Sequence, residues 1–174
     1  MEIRLLQDSD DRSSFRSGDA DLDRFLQRYA GQNQFRHHIG STYVATEQGR
    51  VLGYATVAPG QVEIERLPAA ARRKLPAYPL PILRLARLAV DVSVRGQGLG
   101  RELLRFVFRL AIRLAAEYGC VGVLVDAKPD AVDFYSRLGF VAVDVIEGES
   151  GARPAPVAMF LSISEIKAAT KASP

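Results

Sequence analysis

The chain has little of what builds covalent or metal-held scaffolds. Of its 174 residues one is a cysteine, so no disulfide can form within it. Cys120 lies between the end of a helical pattern and an apolar run, and reads as a small core filler rather than a nucleophile. The two histidines, His37 and His38, are adjacent. Neighbouring side chains point different ways and no cysteine or carboxylate accompanies them at ligand spacing, so no metal is expected. No apolar stretch approaches the ~20 residues that span a bilayer, and Met1-Glu2-Ile3-Arg4 followed by acids is no signal peptide, so no membrane association and a cytoplasmic location are expected. Internal repeats and low-complexity linkers are missing too. So is any Gly-Lys-Ser/Thr, which excludes a P-loop.

What is present fits one folded domain. Hydrophobic residues make up 48% of the chain and its mean hydropathy is near zero. The net charge of +3 and pI of about 9.2 are mildly basic, and the distribution says more than the total. Between Arg84 and Arg113 seven arginines face only Asp91 and Glu102, leaving that stretch at +5. Arg101, Arg105, Arg109 and Arg113 recur every fourth residue and so share one helical face, where like charges repel by a few tenths of a kcal/mol, on the order of 0.2–0.5 per pair. Such a stripe suits either a polyanion or a solvated face balanced from elsewhere.

The most specific local pattern runs from Arg87 to Arg101. An apolar strand, Leu88-Ala89-Val90, passes through Arg95-Gly96-Gln97-Gly98-Leu99-Gly100-Arg101 into a long helical pattern ending near Tyr118. Gly98 and Gly100 allow the backbone close to a ligand while the first N–H groups of the helix have no internal partner, which suits a pyrophosphate. A dinucleotide fingerprint is excluded because Arg101 stands where its third glycine belongs. Downstream, Gly119 stops the helix and Val121–Val125 reads as a buried strand. Pro129 to Gly139 then carries the signals of a short capped helix: proline early, acids in the first turn, Arg137 late and glycine past the end.

Elsewhere Met1–Leu6 reads as an edge strand. Ser17-Gly18-Asp19 opens a helix with Leu22, Phe25, Leu26 and Tyr29 on one face and Phe15 as a staple, and a second short helix covers Gln32–His38. Thr42–Thr46 and Val51–Val57 form a hairpin about Gln48-Gly49. Glu63–Tyr78 is an excursion containing Arg72-Arg73-Lys74, and the chain returns as a strand over Ile82–Asp91. Two closing strands, Val141–Ile146 and Val157–Ile163, are joined by the polar Gly148–Gly151 loop. This order argues for one mixed α/β sheet.

Arg95-x-x-Gly98-x-Gly100 followed by Phe134-Tyr135-x-x-x-Gly139-Phe140 resembles the GNAT superfamily of N-acetyltransferases. Within it the chain is similar to toxins of bacterial toxin–antitoxin modules that acetylate aminoacyl-tRNA. That similarity runs from Phe15-x-x-Gly18-x-x-x-Leu22-x-x-Phe25-Leu26 through Thr42-Tyr43-Val44, Gly53-Tyr54, Leu75-Pro76 and Pro81 to the two motifs. Departures are Gly40-Ser41-Thr42, where the family often has Ser-Arg-Thr, and Asp126, where it often has histidine. The resemblance implies a GNAT-type domain over 1–165 and a frayed tail over 166–174. Its mixed, mostly antiparallel central sheet would be flanked by helices, with the CoA loop between a central strand and the long helix. It implies acetyl-CoA as donor: Leu88, Ala89 and Val90 beside the pantetheine arm, residues 95–101 (Arg95, Gly96, Gln97, Gly98, Leu99, Gly100, Arg101) at the pyrophosphate, and Phe134 in the same site. It also implies Tyr135 as general acid, an antitoxin partner and a homodimer. Tyr54 and Arg87 are acceptor-side candidates, with cross-strand packing an equal reading for Tyr54, and Arg72, Arg73 and Lys74 are candidate contacts to RNA.

The acceptor chemistry can be read from what the strand lacks. A lysine amine, with a pKa of ~10.4, costs ~4.6 kcal/mol to deprotonate at neutral pH, whereas an α-amine at ~7.7–8.0 costs far less. Arg84–Val90 offers no carboxylate to act as base, which favours the α-amine; Glu63, Glu65 or a water could also serve. Three readings follow: acetylation of aminoacyl-tRNA, acetylation of a small amine or protein N-terminus, and a non-catalytic CoA- or partner-binding module.

Overall fold

Why the chain turns where it does is largely a matter of glycines held at positive φ. Gln48 and Gly49, at φ 50° and 78°, form a two-residue turn of the primed type, the twist of which matches the strands on either side. It joins β2 (Ser41–Glu47) to β3 (Arg50–Val62) with Glu47 opposite Arg50. A bulge between Ala45 and Thr46 shifts the register, and β1 (Glu2–Leu5) pairs antiparallel with β2. Among the described residues, β4 (Leu80–Val90), β5 (Gly122–Ala127), β6 (Val141–Ala142) and β7 (Val157–Ser162) complete a seven-stranded sheet in the order β1-β2-β3-β4-β5-β7-β6. The computed structural model describes residues 1–143 and 155–172. The expected loop at Gly148–Gly151 and the end of the strand over Val141–Ile146 lie outside them.

The domain divides into two compact units, one of Met1–Ala58 with Leu85–Arg109 and the other of Pro59–Arg84 with Leu110–Pro174. In the first, Asp19 caps α1 (Ala20–Arg24), its carboxylate accepting from the N–H groups of Asp21 and Leu22. The two helices expected here are one helical stretch, because α1 continues through wide π-type turns over Phe25–Tyr29 and Gln32–His37 and ends at His38 in the left-handed region. Ala30 and Gly31 are buried at the expected break, so the chain has no reason to turn there. Phe15 is no staple but core, packed with Phe25, Leu26, Val44 and Tyr54. A second cluster joins Ala45, Leu52, Leu99 and Leu103, and so seats the start of α3 (Leu99–Glu117) on the sheet.

In the second unit the excursion after β3 holds a 3₁₀ turn at Ile64–Arg66 and α2 (Ala69–Arg72). Its apolar residues Ile64 and Leu67 pack with Leu80, Ile82, Leu124 and Phe160. Pro129–Ala131 forms a 3₁₀ turn leading into α4 (Val132–Ser136). Phe140 N–H donates to the Tyr135 carbonyl and Gly139 N–H to that of Ser136, a Schellman end with Gly139 at φ 94°. The expected tail from 166 differs: α5 (Ile163–Ala172) carries the chain through Ala172 as a helix. Ser162 and Glu165 cap it reciprocally, Ser162 Oγ–H and N–H donating to the Glu165 carboxylate while Glu165 N–H donates to Ser162 Oγ, and Ile166 is fully buried beneath.

Candidate active site

The glycine loop lies wholly in the first unit, and its hydrogen bonds divide its N–H groups into two sets. Those of Val94, Arg95, Gln97 and Arg101 are turned inward to the carbonyls of Asp91, Val92, Val94 and Gly98. Those of Gly96, Gly98, Leu99 and Gly100 have no partner among the described residues. The free set alternates along the turn and runs on into the first turn of α3, where the helix dipole adds to its pull on an anion. Gly96 and Gly98 sit at φ 78° and 86°, and a Cβ at either would meet nothing within 4 Å. The cradle is therefore open, and its donor set fits a pyrophosphate.

Asp91 is the residue that sequence reasoning missed. Only 1% exposed, its carboxylate accepts from Arg16 N–H at 2.9 Å, from Ser93 N–H at 3.0 Å, from the Ser93 hydroxyl at 2.6 Å and from Arg50 at 3.1 Å. Burial pushes its pKa up, but the Ser93 hydroxyl, the two N–H groups and the Arg50 charge together outweigh that and hold it below the usual carboxylate range. The Asp91-x-Ser93 pattern was the local signal, since an aspartate two residues before a serine often bonds back to its N–H. The contribution of Arg16 had no local signal at all.

Tyr135 lies in the second unit, on α4. Its ring is 5% exposed and meets Phe134 and Phe140 edge-on, with centroids 5.1 and 5.4 Å away. Burial pushes the phenol above its ordinary pKa, so the proton is firmly held at neutral pH. Its hydroxyl makes no hydrogen bond among the described residues. A buried phenol that stays protonated at neutral pH keeps an O–H donor to offer to negative charge developing beside it.

The acetyltransferase (GNAT) domain model matches residues 38–142. The chain belongs to the GNAT acetyltransferase family. A tRNA-acetylating toxin of Mycobacterium tuberculosis is 37% identical over 140 residues, covering 79% of this chain and 82% of the toxin. The solved structure of AtaT complexed with acetyl-methionyl-tRNAfMet is 29% identical with a TM-score of 0.83, covering 97% of this chain and 98% of that one. A tyrosine-to-phenylalanine mutant of AtaT, bound to the C-terminus of the antitoxin AtaR and to acetyl-CoA, is 27% identical with a TM-score of 0.78 over 98% and 97% of the two chains. The protein is thus an N-acetyltransferase that uses acetyl-CoA.

Other residues of this acetyltransferase singled out from sequence fall in varied places. Tyr54, a candidate for either the acceptor pocket or cross-strand packing, is fully buried: its hydroxyl donates to the Leu22 carbonyl at 2.8 Å and its ring packs on Phe15 and Phe25. With no surface to offer a substrate, it is a core residue that ties β3 to α1. The Arg87 guanidinium stacks 3.7 Å above the Phe25 ring. The Arg95 side chain turns away from the loop and donates to the Ser17 carbonyl. Ala89 is buried, whereas Leu88 and Val90 are partly buried against the Leu99 and Leu103 cluster. Arg72, Arg73 and Lys74 are all exposed at the end of α2, and Glu63 and Glu65 are exposed beside it.

Asp126, at the position that departs from the family pattern, pairs with Arg84 at 2.5 Å. Cys120 is buried and donates to the Gly122 carbonyl, and burial raises its pKa, as suits a core filler. Exposed His37 has its Nε2 3.2 Å from the Gln32 amide nitrogen, and no group of three or more metal-type side chains gathers among the described residues. No helix among them is long and apolar enough to cross a membrane.

Proposed function

We propose that this enzyme acetylates the α-amine of aminoacyl-tRNA and thereby acts as the toxin of a toxin–antitoxin pair. The observation that carries the reading is its 37% identity, across most of both chains, to a tRNA-acetylating toxin. The strand before the glycine loop agrees, because Arg84–Val90 carries no carboxylate to deprotonate a lysine, and an α-amine with a pKa of ~7.7–8.0 needs none. An antitoxin, a second copy of the chain and a cytoplasmic location are the surroundings this reading implies.

In the proposed reaction the free N–H groups of Gly96, Gly98, Leu99 and Gly100 hold the pyrophosphate, and the backbone of Leu88–Val90 pairs with the pantetheine arm as an added strand. The amine nitrogen bonds to the thioester carbonyl carbon, and the carbon–sulfur bond breaks with its electron pair going to sulfur. Tyr135 gives its phenolic proton to that sulfur. The proton lost by the amine passes to water and restores the phenol. Exposed Arg72, Arg73 and Lys74, with the α3 arginines, supply phosphate contacts along the RNA.

Purified protein given radiolabelled acetyl-CoA should label charged tRNA, leave uncharged tRNA unlabelled, and respond steeply to salt. Labelling of a polyamine or peptide amine instead, with little salt dependence and no labelling of charged tRNA, would sink the assignment and leave a small-amine acetyltransferase.

A further inference from the structure

The loop that carries the four free N–H groups has little of its own to hold it. Among the described residues between Asp91 and Gly98, Val94 packs against a core cluster whereas Val92 is 49% exposed. Asp91 N–H donates to the Leu52 carbonyl of β3 and the Arg50 guanidinium reaches Asp91 and Ser93, and further attachments run to a segment about 75 residues earlier in the chain. Arg16 N–H donates to Asp91 Oδ2 at 2.9 Å, and Val92 N–H donates back to the Arg16 carbonyl at 2.8 Å. The Arg95 guanidinium donates to the Ser17 carbonyl. Gly18, at φ 88°, holds a backbone conformation that strains any side chain, and a Cβ there would lie 3.0 Å from a nitrogen of Arg95, so the guanidinium would have to give way.

The earlier segment is itself held firmly. Ser17 donates to Asp23 through its N–H at 2.7 Å and its hydroxyl at 2.6 Å, and Asp19 caps the same helix. Tyr54 then anchors that helix to the sheet through the Leu22 carbonyl. A set of hydrogen bonds thus runs from the core, through the start of α1, to Asp91, Val92 and Arg95 at the start of the loop.

We propose that Asp91 and Arg95 are positioning residues of the acetyl-CoA site, tying the loop to Arg16–Gly18 so that the N–H groups of Gly96 to Gly100 are arranged to receive a pyrophosphate before it binds. This rests on the reading that the loop binds the pyrophosphate. Neither side chain touches acetyl-CoA; each acts through backbone it holds. Gly18, outside the loop, belongs to the same device.

The test measures acetyl-CoA affinity by calorimetry, KM and kcat separately, and amide exchange over residues 15–24 with and without acetyl-CoA. Arg95→Ala, at an exposed position, should fold and raise KM for acetyl-CoA about tenfold with kcat within about twofold, since only ground-state positioning is lost. Arg95→Lys should recover part of the loss. Gly18→Ala should reproduce the Arg95→Ala effect without altering the loop. Asp91→Asn should raise KM further; if it fails to fold, the Arg95 and Gly18 variants decide. Acetyl-CoA should slow exchange over residues 15–24 in the wild type and not in Arg95→Ala.

Wild-type acetyl-CoA affinity in both Arg95→Ala and Gly18→Ala, or slowed exchange persisting in Arg95→Ala, overturns the proposal. Gly98→Val separates this from the underlying reading, because unchanged affinity in that variant removes the loop itself from the site.

Discussion

Two buried tyrosines use their hydroxyls in opposite ways. That of Tyr54 is engaged with the Leu22 carbonyl, whereas that of Tyr135 is free of any bond among the described residues. Tyr54→Phe keeps the ring but leaves a carbonyl without its donor, and should cost about 1–2 kcal/mol in chemical denaturation. KM for the acceptor should not change, and a raised acceptor KM in a stable Tyr54→Phe protein would return Tyr54 to the substrate side. Tyr135→Phe should instead leave stability and acetyl-CoA affinity nearly intact and lower kcat by roughly 10²-fold or more. Because burial raises the Tyr135 pKa, its proton is retained across the range in which the amine titrates. The rate should therefore climb with pH through the amine's ~7.7–8.0 and then stay level to about pH 10. A fall in rate between pH 8 and 9 would mean another group is the acid. The same raised pKa favours the neutral form in the fold, so its effect on stability is full below pH ~10 and is lost only as pH rises beyond that.

Elements with local signals were legible from sequence, and those held by distant contacts were not. Gln48-Gly49 announces its turn, and Gly139 announces the end of α4, because glycine and turn chemistry act over three or four residues. The glycine loop was legible for the same reason, but which of its N–H groups stay free depends on how Arg95 and Gln97 fold back on Val92 and Val94. The burial of Tyr54 depends on Leu22, 32 residues away, and the anchoring of Asp91 on Arg16, neither of which leaves a trace in the adjacent sequence. The helix α5 differs, since Ser162-x-x-Glu165 is a capping signal that reading the end as a tail overlooked. Ser162→Ala should therefore destabilise the protein by about 1 kcal/mol in chemical denaturation, by unseating the turn that buries Ile166. Unchanged stability would mean that packing of Ile166 alone holds α5.

At the scale of the whole molecule, charge rather than shape decides between an RNA and a small acceptor. The α3 arginines are exposed, but several are already occupied: Arg105 lies 2.7 Å from Glu102, Arg113 lies 3.7 Å from Glu117, and Arg109 stacks over Phe106. Exposed ion pairs of this kind contribute only about 0–1 kcal/mol, so a phosphate can displace the carboxylate at little cost. Arg72 and Arg73 are exposed on a short element and carry no ion pair among the described residues, so reversing their charge should disturb binding without disturbing the fold. Each phosphate contact to RNA contributes a slope of roughly 0.7–0.9 in the log–log dependence of affinity on salt. Arg72→Glu with Arg73→Glu should then weaken acetylation of charged tRNA at low salt and flatten its salt dependence by about 1.5 units. Acetyl-CoA affinity and acetylation of a small amine should be unaffected. A salt slope equal to that of the wild type would show that the RNA, if bound, is held elsewhere, and the α3 arginines would then be the next to reverse.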